Sequence, residues 1–93
     1  MKKSTKMTAR GVLDRLLDPL SATFTPAAAR RIAGYRADAV TRARIEELAD
    51  KCTEGQLTAT ERREYEASVR AILLISVLQS KARVALARNR KTR

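Results

Sequence analysis

One stretch of the sequence has side chains at the spacing of a metal-binding loop. The twelve residues that begin at Asp50 read DKCTEGQLTATE. A twelve-residue calcium loop has acids at its first and last positions and a glycine at its sixth, and Asp50, Glu61 and Gly55 stand there. Cys52, however, takes the third position, where a hard cation needs an oxygen ligand and a thiol is a poor one. We therefore assign no metal ion and no cofactor to this stretch.

The same residues also fit a corner between two helices, and without a defect. Gly55 supplies the left-handed backbone that ends the preceding helix, and Leu57 packs back against the corner. Thr58 caps the next helix, and Glu61, three residues on, completes a capping box. The sequence therefore predicts a helix-to-helix corner here rather than a calcium site.

Little else in the chain is suited to catalysis. There is one cysteine and no histidine, so the Cys52 thiol has no imidazole to activate it. Cys52 ends a helical stripe with Ile45, Leu48 and Ala49, which predicts that it is buried as a small hydrophobic residue. Without a glycine-rich phosphate loop or a pair of acids in a pocket, we expect no catalytic site and no enzyme activity.

The elements that position these residues are predicted to be helices. The chain has three Gly, two Pro, one Phe and two Tyr in 93 residues, which is little aromatic mass for a sheet core. The predicted fold class is all-α, with short N-terminal helices followed by a helical hairpin that has one long C-terminal helix. We expect residues 1–10 to form a basic flexible arm, 11–87 a single helical domain and 88–93 a basic tail.

The ends of the shorter helices can be read from capping residues. Pro19 should end or kink the first helix. Thr25 is a predicted N-cap with Pro26 after it and Gly34 beyond the end, and Asp38 caps the third helix. The first helix should place one apolar face inward, made of Val12, Leu13, Leu16, Leu17 and Leu20.

The last predicted helix contains a segment that is apolar on every side. Residues 71–78 read AILLISVL, which is too short to cross a bilayer, since that takes about 20 apolar residues. Exposing Leu74, Val77 and Leu78 would be unfavourable, because burial of each is worth about 1.5–3 kcal/mol. Cover would come from a second copy, another protein, or the other helices of a monomer. The expected anchors and polar rim of an interface are Ile72, Leu74, Ile75, Leu78, Gln79 and Arg83.

The formal charge of +10 lies at the ends of the chain, since residues 11–80 have ten basic and ten acidic side chains. This arrangement predicts a neutral body with cationic arms, which are either solvated tails or a contact surface for DNA or RNA phosphates without sequence choice. Glu61, Glu64 and Glu66 argue against a recognition helix after the corner. The candidate phosphate contacts are Lys2, Lys3, Lys6, Arg10, Lys81, Arg88, Arg90, Lys91 and Arg93.

Residues 24–87 resemble a group of small bacterial helical proteins. The shared pattern is a helix ending in an acid and Gly, then Leu-Thr, a charged run with Glu, Arg and Tyr, and an apolar stretch leading into Leu-Gln-x-Lys-Ala-Arg. Ser68 departs from it, because an aromatic residue is common there. The matching positions are Leu48, Ala49, Glu54, Gly55, Leu57, Thr58, Glu61, Arg62, Glu64, Tyr65, Val69, Leu78, Gln79, Lys81, Ala82 and Arg83.

Members of that group are often encoded beside HNH-type endonucleases, so the resemblance implies a partner or antidote of such an enzyme. A chain this basic would bind the nuclease through its apolar face. We therefore expect a non-enzymatic interaction module, cytoplasmic and without a signal peptide, that uses its long helix to bind a protein partner or a second copy. The alternative is a small basic nucleic-acid-binding protein. No membrane or small-molecule partner is expected.

Overall fold

The computed structural model describes the backbone of residues 7–91 and the side chains of residues 7–88. This part of the chain contains four α-helices and no strand. The all-α prediction, with one long C-terminal helix, is confirmed. The helices are α1 (Ala9–Ser21), α2 (Pro26–Ala33), α3 (Ala39–Thr53) and α4 (Ala59–Lys91).

The predicted N-caps of α2 and α3 are both present. The Thr25 hydroxyl accepts a hydrogen bond from the backbone N–H of Ala28 at 3.1 Å, and Pro26 occupies the first helical position. The Asp38 carboxylate accepts one from the N–H of Thr41 at 2.8 Å. That bond favours the ionised carboxylate and holds the pKa of Asp38 below its ordinary value. The caps satisfy backbone donors that have no partner inside the helix.

Helix α1 does not end at Pro19, as the sequence predicts, but continues to Ser21. The proline lies in the last turn, where its missing N–H removes a single hydrogen bond. Two hydroxyls offset that loss, since Ser21 and Thr23 donate to the carbonyl oxygens of Asp18 and Leu20, each at 2.7 Å. These bonds add donors to the carbonyls of the last turn, where helix geometry supplies few, although the Leu20 carbonyl also accepts the N–H of Thr23 at 3.0 Å.

The chain divides into two compact units, which we call the terminal unit and the central unit. Within the described residues, the terminal unit comprises 7–35 and 73–91, and the central unit comprises 36–72. Helix α4 contributes its first part to the central unit and its second part to the terminal unit. The described core of the central unit is Leu48, which has no exposed surface. In the terminal unit the buried side chains are Ala29, Val77, Ala82 and Lys81.

The inward face of α1 differs from the prediction. Leu13 and Leu17 are half-buried, but the other three leucine and valine residues of the predicted face are exposed. The reason is that Asp14 and Asp18 both bind Lys81 of α4. Because of these two ion pairs, the side of α1 that bears the acids faces α4. The exposed residues of the predicted face are Val12, Leu16 and Leu20.

The corner between α3 and α4 has the predicted structure. Gly55 has φ of 70°, and its N–H donates to the carbonyl of Cys52 at 3.1 Å, while the next N–H reaches the carbonyl of Lys51 at 2.8 Å. This pair of bonds is the Schellman motif. Thr58 and Glu61 form the reciprocal capping box, with N–H to side-chain distances of 3.0 and 3.1 Å. The helix-corner interpretation of this stretch is confirmed.

Replacing the corner glycine tests how much its backbone conformation matters. We expect Gly55→Ala to lower the free energy of unfolding by about 1 kcal/mol and the melting temperature by about 4–8 °C, because a side chain disfavours positive φ. Gly34→Ala is the matched control, since Gly34 also caps a helix but has φ of −94°. Thermal unfolding followed by circular dichroism measures both. Equal losses for the two variants would contradict the explanation.

Candidate functional site: an apolar groove in the terminal unit

The end of α2 is fixed against α4 by one side chain. The Gln79 amide nitrogen donates to the carbonyl oxygen of Ile32 at 3.2 Å and to that of Tyr35 at 2.8 Å. The Ile32 carbonyl, in the last turn of α2, already accepts the backbone N–H of Tyr35 at 3.2 Å, so Gln79 is a further donor there and also binds the carbonyl of Tyr35 beyond Gly34. Gln79 therefore determines where the end of α2 lies along α4.

An apolar groove of about 290 Å³ lies where Gln79 makes these bonds. Four side chains supply its apolar surface: Ile32, Tyr35, Ile75 and Leu78. Three of them are half-buried, and Tyr35 keeps 53% of its surface exposed. A volume at the lower limit of small-molecule pockets, about 300–1,000 Å³, suits one or two side chains of a partner.

The structure brings three of the predicted interface residues together in this groove. Ile75, Leu78 and Gln79 all line it. Leu74, 37% exposed, and Arg83, also exposed, belong to the same unit but do not line the groove. Ile72 is 45% exposed and belongs to the central unit.

Of the sources of cover considered for Val77, the structure shows the other helices of the same chain. The Val77 side chain is 1% exposed, so the helices of the terminal unit cover it within one chain. Leu74 and Leu78 are only partly covered. The segment 71–78 is therefore shielded on one side, and the unshielded apolar surface next to Gln79 is the groove.

Two groove residues, Tyr35 and Arg31, have no role in the sequence prediction. Tyr35 follows the Gly34 cap and is one of only three aromatic residues in the chain. Its rarity and its position after a helix end are the sequence features that could have marked it as a candidate. Arg31 precedes Ile32 in the last turn of α2, and its position at the groove depends on how α2 lies on α4. Local sequence does not determine that placement.

Lys81, predicted to contact nucleic acid, is instead a buried structural residue. Its side chain is 8% exposed, and its ammonium lies 2.9 Å from Asp14 and 3.0 Å from Asp18. The hydrogen bond to Asp14, with further support from Asp18, raises the pKa of Lys81 above its ordinary value although burial opposes the charge. A cation with two carboxylate partners is not free to bind phosphate. We call these three residues the Lys81 clamp.

The other predicted phosphate contacts are only partly within the described structure. Arg10 and Arg88 are exposed and make no ion pair with any described acid. Lys2, Lys3, Lys6 and Arg93 lie outside the described residues, as do the side chains of Arg90 and Lys91.

The two units differ strongly in charge, which the linear sequence does not show. The described side chains of the terminal unit include seven basic and two acidic ones, a formal balance of +5. Those two acids, Asp14 and Asp18, both bind Lys81. The central unit has seven basic and eight acidic side chains, a balance of −1. The cationic character therefore extends from the arms into the helices of the terminal unit.

The acids of the corner are engaged with basic residues of α3. Glu61 accepts a hydrogen bond from Lys51 at 2.6 Å, and Glu64 forms a two-bond pair with Arg44 at 2.8 and 3.0 Å. The bond from Lys51, together with the backbone N–H of Thr58, lowers the pKa of Glu61 to about 2. Among the described residues, no group of three or more His, Cys, Asp or Glu side chains is arranged to hold a metal ion.

These contacts predict how acid affects the fold. Because the pKa of Glu61 falls from 4.5 to about 2 on folding, its contribution to stability is present above pH 4.5 and is lost as the pH falls toward 2. We expect Glu61→Gln to lower the melting temperature by a few degrees at pH 7. The melting temperature of this variant should also fall less between pH 7 and pH 2 than that of wild type. Glu66→Gln, at an exposed residue, is the control. Melting curves from pH 7 to pH 2 measure both, and parallel curves for Glu61→Gln and wild type would contradict the prediction.

Cys52 is exposed, so the prediction that it is buried is wrong. It lies one helical turn beyond Leu48, and in that last turn of α3 the chain already turns away at Gly55. The burial of the stripe is complete at Leu48, partial at Ala49 and absent at Cys52.

Comparison with models of known protein families, with curated proteins and with solved structures finds no match for this chain. Within the described residues, no helix is both long and apolar enough to cross a membrane. The groove, the Lys81 clamp and the charge of the terminal unit are therefore the observations from which a function must be inferred.

Proposed function

We propose that this chain is a non-enzymatic helical module that binds a protein partner through the groove of the terminal unit. The observation that carries the proposal is the uncovered apolar surface of Ile32, Tyr35, Ile75 and Leu78, held in position by Gln79. Protein interfaces depend on a few anchors that fill well-formed pockets, with a polar rim around them. The groove offers such a pocket on a support fixed by hydrogen bonds.

A crosslinking experiment tests this function. A photoreactive phenylalanine analogue at position 78 should capture a defined partner in the native host, and one at position 40 should not. Val40 is a suitable control because it is apolar and 81% exposed but belongs to the central unit. Equal capture at both positions would contradict a role for the groove.

Truncation of the groove should then weaken the purified complex. We expect Tyr35→Ala and Leu78→Ala each to raise the dissociation constant by about tenfold or more, as for central anchors of an interface. Val40→Ala should leave it unchanged. Isothermal titration calorimetry measures the affinities, and circular dichroism checks that the variants remain folded. Unchanged affinity in both groove variants would refute the proposal.

The resemblance to proteins encoded beside HNH-type endonucleases makes such an enzyme the first partner to test. A cationic module would not occupy a cleft that binds DNA phosphates, because like charges repel there. We therefore propose that it contacts the nuclease away from that cleft, through apolar anchors. Co-purification with an HNH-type nuclease of the same host, and its loss in Leu78→Ala, tests the antidote role.

A second candidate function is nucleic-acid binding, which the +5 balance of the terminal unit favours. Contacts to phosphates release counterions, so affinity for duplex DNA or RNA should fall steeply with salt and depend little on sequence. Arg10→Gln and Arg88→Gln should each reduce the slope of log affinity against log salt concentration by about one, the value for one lost phosphate contact. No binding at low salt would eliminate this candidate.

A further inference from the structure

We infer that the partner segment accepted by the groove is an acidic amphipathic helix of another protein, not a second copy of this chain. The inference rests on the proposed function, because it names the class of ligand for the same groove. Three features of the terminal unit carry it: the lining of the groove, the distribution of its charges and the composition of its own helices.

The lining favours a helix over an extended peptide. A peptide that binds as an added β-strand needs a sheet edge to satisfy its backbone hydrogen bonds, and residues 7–91 contain no strand. Both N–H groups of the Gln79 amide are already used on the carbonyls of Ile32 and Tyr35. A ligand that satisfies its own backbone and projects apolar anchors three or four residues apart fits these conditions.

The charge around the groove favours an acidic ligand. Arg31 is the charged residue in the lining, and no carboxylate is present there. The two described acids of the unit both bind Lys81, and none of its other described cations lies within ion-pair distance of a described carboxylate. These cations give the unit a positive potential that attracts acids and repels a basic ligand. They are Arg10, Arg15, Arg30, Arg31, Arg83 and Arg88.

The same charges disfavour a second copy. A symmetric dimer through the groove would bring together two copies of one surface, each with Arg31 and no carboxylate residue in its lining. The chain also has no acid-rich helix to offer, since α3 has three basic and three acidic side chains and the two acids of α1 are engaged by Lys81. A different protein is therefore the better source of the acidic helix.

Selection from a peptide library tests the inference without knowledge of the natural partner. The library displays helical peptides of about 18 residues with leucines fixed on one face, and the other face encodes acidic, basic and neutral residues equally. The full chain is the target. Selected peptides are then synthesised and measured by fluorescence anisotropy at low and high salt against wild type, Leu78→Ala and Arg31→Gln. Arg63→Gln, at an exposed arginine of the central unit, is the matched charge control.

The expected result is a set of selected peptides with acidic polar faces. Leu78→Ala should weaken them about tenfold, Arg31→Gln about threefold, and Arg63→Gln should leave them unchanged. High salt should weaken them as well. Neutral or basic peptides that still depend on Leu78 would overturn the acidic inference while leaving the groove function intact. Acidic peptides that bind wild type and Leu78→Ala equally well would overturn both the acidic inference and the groove function. The same holds for acidic peptides that duplex DNA displaces equally from wild type and from Leu78→Ala. A selection that yields no binders would also overturn both claims.

Discussion

We expect Leu48→Ala to lower the free energy of unfolding by about 2–5 kcal/mol, the range found when a buried leucine is truncated and a cavity remains. Leu48 has no exposed surface and is the one fully buried large side chain described in the central unit. A chain of this size has a total stability of about 5–15 kcal/mol at most, so the loss is a large fraction of it. We expect the melting temperature to fall by more than 10 °C.

Urea unfolding and hydrogen exchange measure this effect. Exchange should accelerate most in the amides of α3, because Leu48 lies in the last half of that helix. Val69→Ala is the control in the same unit, since Val69 is 46% exposed and its truncation leaves no closed cavity. We expect it to cost less than about 1 kcal/mol. Similar losses for both variants would mean that Leu48 is not the main packing residue of the unit.

Features that depend on neighbouring residues can be predicted from the sequence. The caps at Thr25 and Asp38, the Schellman turn at Gly55 and the capping box from Thr58 to Glu61 all follow from side chains within a few positions. Each satisfies backbone groups that a helix end must leave free, so its cause is local. The long C-terminal helix, with its apolar segment at 71–78, follows from composition and from the absence of Gly and Pro after Gly55.

Features that depend on packing between distant segments cannot be predicted in this way. Lys81 resembles any other cation of a basic tail until Asp14 and Asp18, more than sixty residues away, are brought to it. The same contact rotates α1 and exposes Leu16, which periodicity alone would bury. The groove was partly predictable, because Ile75 and Leu78 belong to an apolar segment, but Arg31 and Tyr35 reach it only because the end of α2 packs on α4, where Gln79 binds the carbonyls of Ile32 and Tyr35.

The Lys81 clamp predicts an asymmetric response to removal of its charges. Lys81 is 8% exposed, whereas Asp14 and Asp18 are 67% and 75% exposed. If the lysine is removed, the acids become hydrated at little cost. If the acids are neutralised, the ammonium remains buried without a counter-charge, and a buried charge without its partner is strongly destabilising. We therefore expect the double variant Asp14→Asn, Asp18→Asn to lower the melting temperature by roughly 10 °C and Lys81→Met to have a smaller effect.

The pH dependence distinguishes this electrostatic explanation from a loss of packing. In wild type the pKa of Lys81 is raised, so its contribution to stability is complete below about pH 10.5 and is lost as the pH rises through the folded value. In the double variant no counter-charge remains, and we expect burial to lower that pKa and reverse the slope, so stability should rise as the lysine loses its proton in alkali. Asp14→Asn alone, which keeps Asp18, should fall between the two. The melting temperature of the double variant could instead follow that of wild type across the alkaline range. That result would mean that the apolar residues Leu13 and Leu17 hold α1 in place, and that the Lys81 clamp only orients the helix.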